Sequence, residues 1–297
     1  MNENYETMRQ LRRRFSRIGW GVLVYLAAIQ LMSLVTLCIP GEVAPTLVSY
    51  ALTYGLGPLA LWLVIRKLPR GACRNMPLSP RALVRTALVS FGTLEIFAYI
   101  TDAFMSVVET VSGQTTSDVL QSAASDMPTW LYLLLVGVFA PLGEEFLFRR
   151  VLLDRVRPFG DRAAIWVTAV AFGLFHLNLY QFFYATALGV IFAGVAVKTG
   201  KLWHTIVLHS AVNLGSAALS GLTDLGDVGA GIASVLVIGL MIFAVWAIWR
   251  YRKSYSFDPP QYPASNREVA AAAVRSTGAW VCTMLAMVVS VVIVFIA

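Results

Sequence analysis

Apolar runs of about 20 residues recur along almost the whole length of this chain, and that recurrence leaves few folds open. At 1.5 Å per residue, each run is long enough to cross the roughly 30 Å hydrocarbon core of a bilayer as a helix. Nine runs are legible, at about 18–39, 46–65, 83–106, 128–149, 162–179, 180–198, 202–220, 228–249 and 277–297. Only the short turn at 177–181 divides the fifth from the sixth, and the third carries Glu95 and Asp102, so the count is eight to nine. The expected fold is an all-α, polytopic membrane helical bundle with no soluble catalytic domain. The charged fraction of 13% agrees, since globular chains carry about 25%.

Charge placement supports this division. With the amino terminus inside, the inner segments are 1–17, 66–82, 150–161, 198–201 and 250–276, each extended a residue or three into its helices. These zones hold all 23 Lys and Arg residues. The outer loops hold Glu42, Glu109, Asp118, Asp126, Asp224 and Asp227 instead. Positive residues concentrate on the cytoplasmic side of membrane proteins, so the net charge of +7 reflects topology. It marks no basic folded face for nucleic acid. The arginines at 9, 12, 13, 14 and 17 precede a 22-residue apolar run without a small-x-small cleavage site, which reads as a retained first helix. Cys38, Cys73 and Cys282 have no motif spacing and fall at different faces, so neither a disulfide framework nor a cysteine metal site is expected.

The chain divides into amino-terminal helices at 1–127, a central segment at 128–220 and carboxy-terminal helices at 221–297. Within the last, 251–276 reads as a solvated cytoplasmic linker, with Pro259, Pro260 and Pro263. The outer stretch 107–127 has weak amphipathic spacing (Val107, Val108, Val111, Val119, Leu120) suited to a membrane surface. Gly189 and Gly194 suit close helix packing.

Ionisable residues are costly in hydrocarbon and mark functional sites by default. Three clusters fall within the central apolar sequence: Glu144-Glu145-x3-Arg149, Phe172-x3-His176 and His209-x3-Asn213. Residues four apart share a helix face, so Glu145 can pair with Arg149 while Glu144 points about 100° away. That geometry makes Glu144 the working carboxylate and Glu145–Arg149 a structural pair. Pro141 cannot donate to the carbonyl of Gly137, so a kink before the acids would open room for water. Taken singly, each cluster also reads as ordinary helix packing: an ion pair at a helix end, or interhelical hydrogen bonds from His176, His209 and Asn213. His204, beside Trp203 near the inner interface, is expected at the surface.

Depth ties the clusters together. A fourth helix running on to about Arg157 puts Glu144 roughly 19 Å from its inner end, with His176 at about 21 Å, Asn213 at about 17 Å and His209 at about 10 Å. Glu144, His176 and Asn213 then meet near mid-membrane, with His209 one turn closer to the cytoplasm. A helix stopping at Arg149 would leave Glu144 too shallow by more than about 10 Å.

A carboxylate and an imidazole sharing one water can turn it into a nucleophile, and a second imidazole with an amide can stabilise the resulting oxyanion. The same residues leave a second chemistry open, a zinc ion held by Glu144, His176 and His209 with an open position for water. No Ser or Cys stands in a nucleophile motif.

The order Glu-Glu-x3-Arg, Phe-x3-His and His-x3-Asn, each on its own hydrophobic segment, resembles the CPBP (Abi) family of CAAX prenyl protease 2 and bacteriocin-processing proteins. The lead-in Thr199-Gly-Lys-Leu-Trp203 is similar too, and the resemblance covers about 128–216. It implies an intramembrane endopeptidase of metalloprotease or glutamate type acting on a peptide or protein. Glu144 and His176 would activate water, His209 and Asn213 would stabilise the oxyanion, and Glu145, Arg149 and Phe172 would support them. It fits a multi-pass protein of a bacterial plasma membrane with a cytoplasmic amino terminus and a cavity open to the cytoplasm. Bacteriocin immunity or scaffolding by the same fold is the non-catalytic alternative. A transporter would show paired repeats with broken helices, and none is visible.

Overall fold

A computed structural model describes residues 2–41, 43–71, 74–116, 127–254 and 256–296. Ten helices follow one another: α1 Asn2–Thr36, α2 Val43–Ile65, α3 Pro80–Ser112, α4 Thr129–Phe159, α5 Asp161–Phe175, α6 Leu179–Thr199, α7 Leu202–Thr223, α8 Asp227–Tyr251, α9 Asn266–Val274 and α10 Thr277–Ile296. No strand occurs among the described residues. All but α5 and α9 are long and apolar enough to cross a membrane, so the described chain is a multi-pass helical bundle. The outer-surface reading of 107–127 lies partly outside the described residues; Val107 and Val111 are exposed on the last turns of α3.

The fifth apolar run departs from expectation. It ends as a 15-residue helix rather than running on to 179. Leu177 takes a left-handed backbone (φ 49°), and the Asn178 side chain caps α6 by accepting from the Tyr180 amide. Apolar composition continues into this turn, so hydropathy finds the break at 177–181 but sets the helix end up to four residues late. At about 22 Å, α5 is shorter than the hydrocarbon core. It packs along α6, and the close approach needs Gly189: a Cβ there would lie 2.9 Å from Ala169 Cα. Gly194, expected to serve the same purpose, faces open space.

The fourth helix does run past its arginines, as the depth argument requires. The guanidinium groups beyond Arg149 close off the carbonyl ends of neighbouring helices, where cations are favoured. Arg155 donates to the carbonyls of Arg66 and Leu68 beyond α2, and Arg157 donates to Val197 near the end of α6 at 3.0 Å. Both arginines are buried, although charge counting alone treats them only as topology signals.

The segment 251–276 is not simply solvated. Asp258 is tied to α5 in both directions: its amide donates to Asp161 Oδ2 at 2.8 Å, and its carbonyl accepts from the Asp161 amide at 3.1 Å. Tyr262 lies against Phe159 and under Arg14. The segment then forms α9, whose start carries a Ser265–Glu268 capping box and whose Val269 and Ala272 are fully buried. Alternation of polar and apolar residues in a Pro-containing stretch concealed this docking. Cys38 and Cys282 are free thiols, exposed and buried respectively; Cys73 lies outside the described residues.

Candidate functional site

Three stretches of π-helix occur among the described residues, at Leu52–Leu56 in α2 and at Leu135–Phe139 and Phe146–Leu152 in α4. Wide turns of this kind are uncommon and gather at functional sites. Here each presents one group to the same region: Tyr54, the carbonyl of Val136, and Arg149. Pro141 accounts for the second stretch. With no N–H at 141, the ladder widens, and the Ala140 amide donates five residues back to Leu135.

Between the two wide turns of α4 stand Glu144 and Glu145, both buried. Glu145 is wholly enclosed, and the expected pair with Arg149 forms at 2.8 Å between Nε and Oε2. Its other oxygen, Oε1, accepts from His209 Nδ1 at 3.2 Å. Each removal of a charge from water is costly unless opposite charge and hydrogen bonds surround it, and Glu145 has both. Arg149 stacks over the Phe172 ring at 5.5 Å from its centroid, while its Nη1 and Nη2 make no hydrogen bond.

Glu144 is placed differently. Its Oε1 accepts from the Tyr54 hydroxyl at 2.7 Å, and its Oε2 is buried with no hydrogen-bond partner. That free oxygen lies 3.9 Å from His209 Nε2. This is too long for a direct hydrogen bond and suits one bridging water. Since a carboxylate can only accept, His209 carries its proton on Nδ1 toward Glu145, so its Nε2 faces Glu144.

His176 caps α5, and its Nδ1 lies 2.8 Å from the Phe172 carbonyl. A carbonyl only accepts, so Nδ1 bears the hydrogen and the Nε2 lone pair of the neutral ring is free. Phe172 is the hub between the two imidazoles: its ring meets His176 edge-on at 5.2 Å and His209 at 5.7 Å. Phe192 backs His209 from α6 at 5.4 Å.

Asn213 stands one turn beyond His209 and is not in direct contact with the acids. Its Nδ2 donates to the Val136 carbonyl at 2.8 Å. The cause is visible in the ladder. In an α-helix Val136 would accept from Ala140, whose amide is committed to Leu135, and in a π-helix from residue 141, which is proline. Asn213 therefore satisfies a carbonyl that Pro141 leaves without a donor, and one N–H of its amide remains for another acceptor.

Two site groups escape sequence reasoning. Tyr54 comes from a helix 90 positions earlier, and no spacing connects it with Glu144. Gly143 does leave a trace, as a glycine beside a carboxylate inside a helix. A Cβ there would sit 2.5–2.6 Å from Tyr54 Cδ1, Cγ and Cβ, so only glycine lets α2 approach. His204, expected at the surface, is completely buried, because the loop before α3 folds over it and the Leu78 amide donates to its Nε2 at 3.3 Å.

Glu144, Glu145, His176 and His209 do not converge as metal ligands. Among the described residues no three His, Cys, Asp or Glu side chains form such a group, and three of the four acid oxygens are already held, by Tyr54, His209 and Arg149.

Residues 126–215 match the family described as type II CAAX prenyl endopeptidase, Rce1-like. The match covers under a third of the chain and contains all three motifs, so the resemblance drawn from them is borne out. No curated protein and no solved structure matches the chain.

Proposed function

We propose that the protein is an intramembrane endopeptidase, with 128–220 as its catalytic core, that hydrolyses a peptide bond with water activated by Glu144 and His176. The observation that carries this reading is the free, buried Oε2 of Glu144, set 3.9 Å from His209 Nε2 beside a second imidazole whose Nε2 is unengaged. The family match over the same segment supports a CAAX-type protease.

The reaction follows from the positions. A water hydrogen-bonded to Glu144 Oε2 gives up its proton to that oxygen as its own oxygen attacks the peptide carbonyl. His176 Nε2 accepts the second water hydrogen and orients the attacking lone pair. Tyr54 holds the other carboxylate oxygen, which keeps Oε2 turned toward the water. The developing oxyanion is met by the unused N–H of Asn213 and by His209 Nε2. Because Nδ1 already bears a hydrogen directed at Glu145, His209 donates from Nε2 only when both ring nitrogens carry one. Collapse of the tetrahedral intermediate breaks the C–N bond, and Glu144 returns its proton to the leaving amine. No step passes through a metal.

The substrate is a peptide or protein that enters from the side where the Lys and Arg residues gather, which we assign to the cytoplasm. The test compares peptide termini in membranes containing the wild type with those containing Glu144→Gln at equal abundance. Termini present only with the wild type are expected. Identical termini from both would overturn the catalytic reading and leave a binding or immunity protein.

A further inference from the structure

Away from the acids, α1, α5, α9 and α10 enclose a groove of about 830 Å³, within the range of about 300–1,000 Å³ that small-molecule sites occupy. From α5 it takes the stripe Arg162, Trp166, Val170 and Leu174, spaced four residues apart and so along one side of the helix. Twelve residues separate the ends of this stripe, about 18 Å at 1.5 Å per residue, or slightly more than one leaflet of a roughly 30 Å core. The walls are apolar along this length.

One end is different. Arg162 opens α5 and Arg267 opens α9, and both line the groove. The segment between α8 and α9 brings these two helix starts together. Phe257 lies under the Arg162 guanidinium, Asp258 is bonded to Asp161, and Pro260 sits against Gly160. Among the described residues no Asp or Glu lines the groove. The nearest acids are engaged elsewhere: Asp161 with Arg157 and with the Asp258 amide, and Glu268 with Ser265. Trp166 and Trp280, both more than half exposed, flank this end, as indole rings do at the interface between hydrocarbon and water.

We infer that this groove binds one anionic phospholipid of the bilayer, with an acyl chain along the α5 stripe and its phosphate and headgroup at Arg162 and Arg267. Basic pockets between spanning helices recognise acidic headgroups in this way. The charge argues against a neutral occupant, because two cations that no acid among the described groove residues faces stand where the headgroup of a leaflet lipid would lie. The site is separate from the proposed active site, and its test does not depend on catalysis.

The full chain, purified in detergent and stripped of lipid, is titrated with phosphatidylglycerol or phosphatidylcholine, and bound lipid is counted by native mass spectrometry. One equivalent of phosphatidylglycerol is expected, with phosphatidylcholine much weaker. Each basic residue near a membrane surface strengthens attraction to acidic lipid by about tenfold or less, so Arg162→Gln with Arg267→Gln should weaken phosphatidylglycerol binding by on the order of 25-fold. Arg162→Lys with Arg267→Lys should retain it. Ala270→Trp, which fills the groove and leaves both charges in place, should block it. Equal binding of both lipids, or undiminished phosphatidylglycerol binding by the glutamine or tryptophan variants, overturns the inference. If the glutamine variant does not fold, the tryptophan variant and the lipid comparison decide.

Discussion

Gly143→Ala adds a single carbon where α4 and α2 touch, and its consequences can be worked out from the contacts. The new Cβ would lie 2.6 Å from Tyr54 Cβ, whereas ordinary contact begins at 3.4 Å. Turning the tyrosine ring does not move its Cβ, so α2 must retreat by about 0.8 Å, the difference between those distances. The same retreat would stretch the 2.7 Å bond from Tyr54 to Glu144 to about 3.5 Å, past the usual O–H···O range of about 2.5–3.0 Å. Overpacking costs about 1–3 kcal/mol, offset by up to about 1 kcal/mol from replacing a helical glycine. Net destabilisation is therefore modest. Losing a hydrogen bond to a charged group costs about 1.5–3 kcal/mol, which corresponds to a roughly 10- to 100-fold fall in proteolysis if the bond orients the base. Tyr54→Phe removes the bond and leaves the packing, so it should reproduce the activity loss with little change in unfolding temperature. The double variant should then be no less active than Gly143→Ala alone, because that bond is already broken. The assays are release of new termini in membranes and thermal unfolding in detergent. Multiplying losses in the double variant, or a Gly143→Ala protein as active as wild type, would refute the reasoning.

Arg149→Met leaves Glu145 enclosed without its cation, and should cost about 3–5 kcal/mol of stability; Glu145→Gln with Arg149→Met should cost less, and an unchanged melt for Arg149→Met would contradict the structural role. Asn213→Ala strands the Val136 carbonyl and should cost about 1–3 kcal/mol. In a Pro141→Ala background, where residue 141 can donate, that cost should shrink; equal costs in both backgrounds would show that the amide does not repair the ladder. Removal of divalent metal by chelation should leave proteolysis intact, and activity restored only by added zinc would reverse the assignment of Glu144 as base.

What was legible in the sequence was whatever depends on spacing within one helix. The Glu145–Arg149 pair and the continuation of α4 past its arginines both follow from 3.6 residues per turn and a fixed rise. Contacts between helices were legible only as far as depth could be counted, which set His209 a turn nearer the cytoplasm than Glu144, although it reaches both acids, and gave no warning of Tyr54. Asn213 was expected with the acids and is instead committed to Val136, because the effect of Pro141 on the ladder was read as a kink rather than a widened turn. The early end of α5 was hidden by Leu177, an apolar residue in a left-handed conformation usually reserved for glycine or asparagine. Burial of His204 and docking of Tyr262 depend on loops, where periodicity carries no information.

The widened turns of α4 also make the helix sensitive to length in an unusual way. A π turn holds one residue more than an α-helix would use for the same advance. Deleting one residue from 135–139 would let that stretch tighten toward an α-helix, apart from the N–H that Pro141 lacks. Because the shorter stretch makes the same advance, the acids beyond it would keep their places, whereas a deletion from the regular turn at 140–143 would turn everything after it by about 100° and draw it back by about 1.5 Å. Glu145 would then leave His209, and Glu144 would leave Tyr54. A second deletion within 146–152 would restore neither contact, because it lies beyond both acids. Such a chain would insert and fold its helices while losing the site, so in the regular turn a one-residue deletion is a harsher change than most substitutions. The acids are held in place by residue count as much as by the side chains around them.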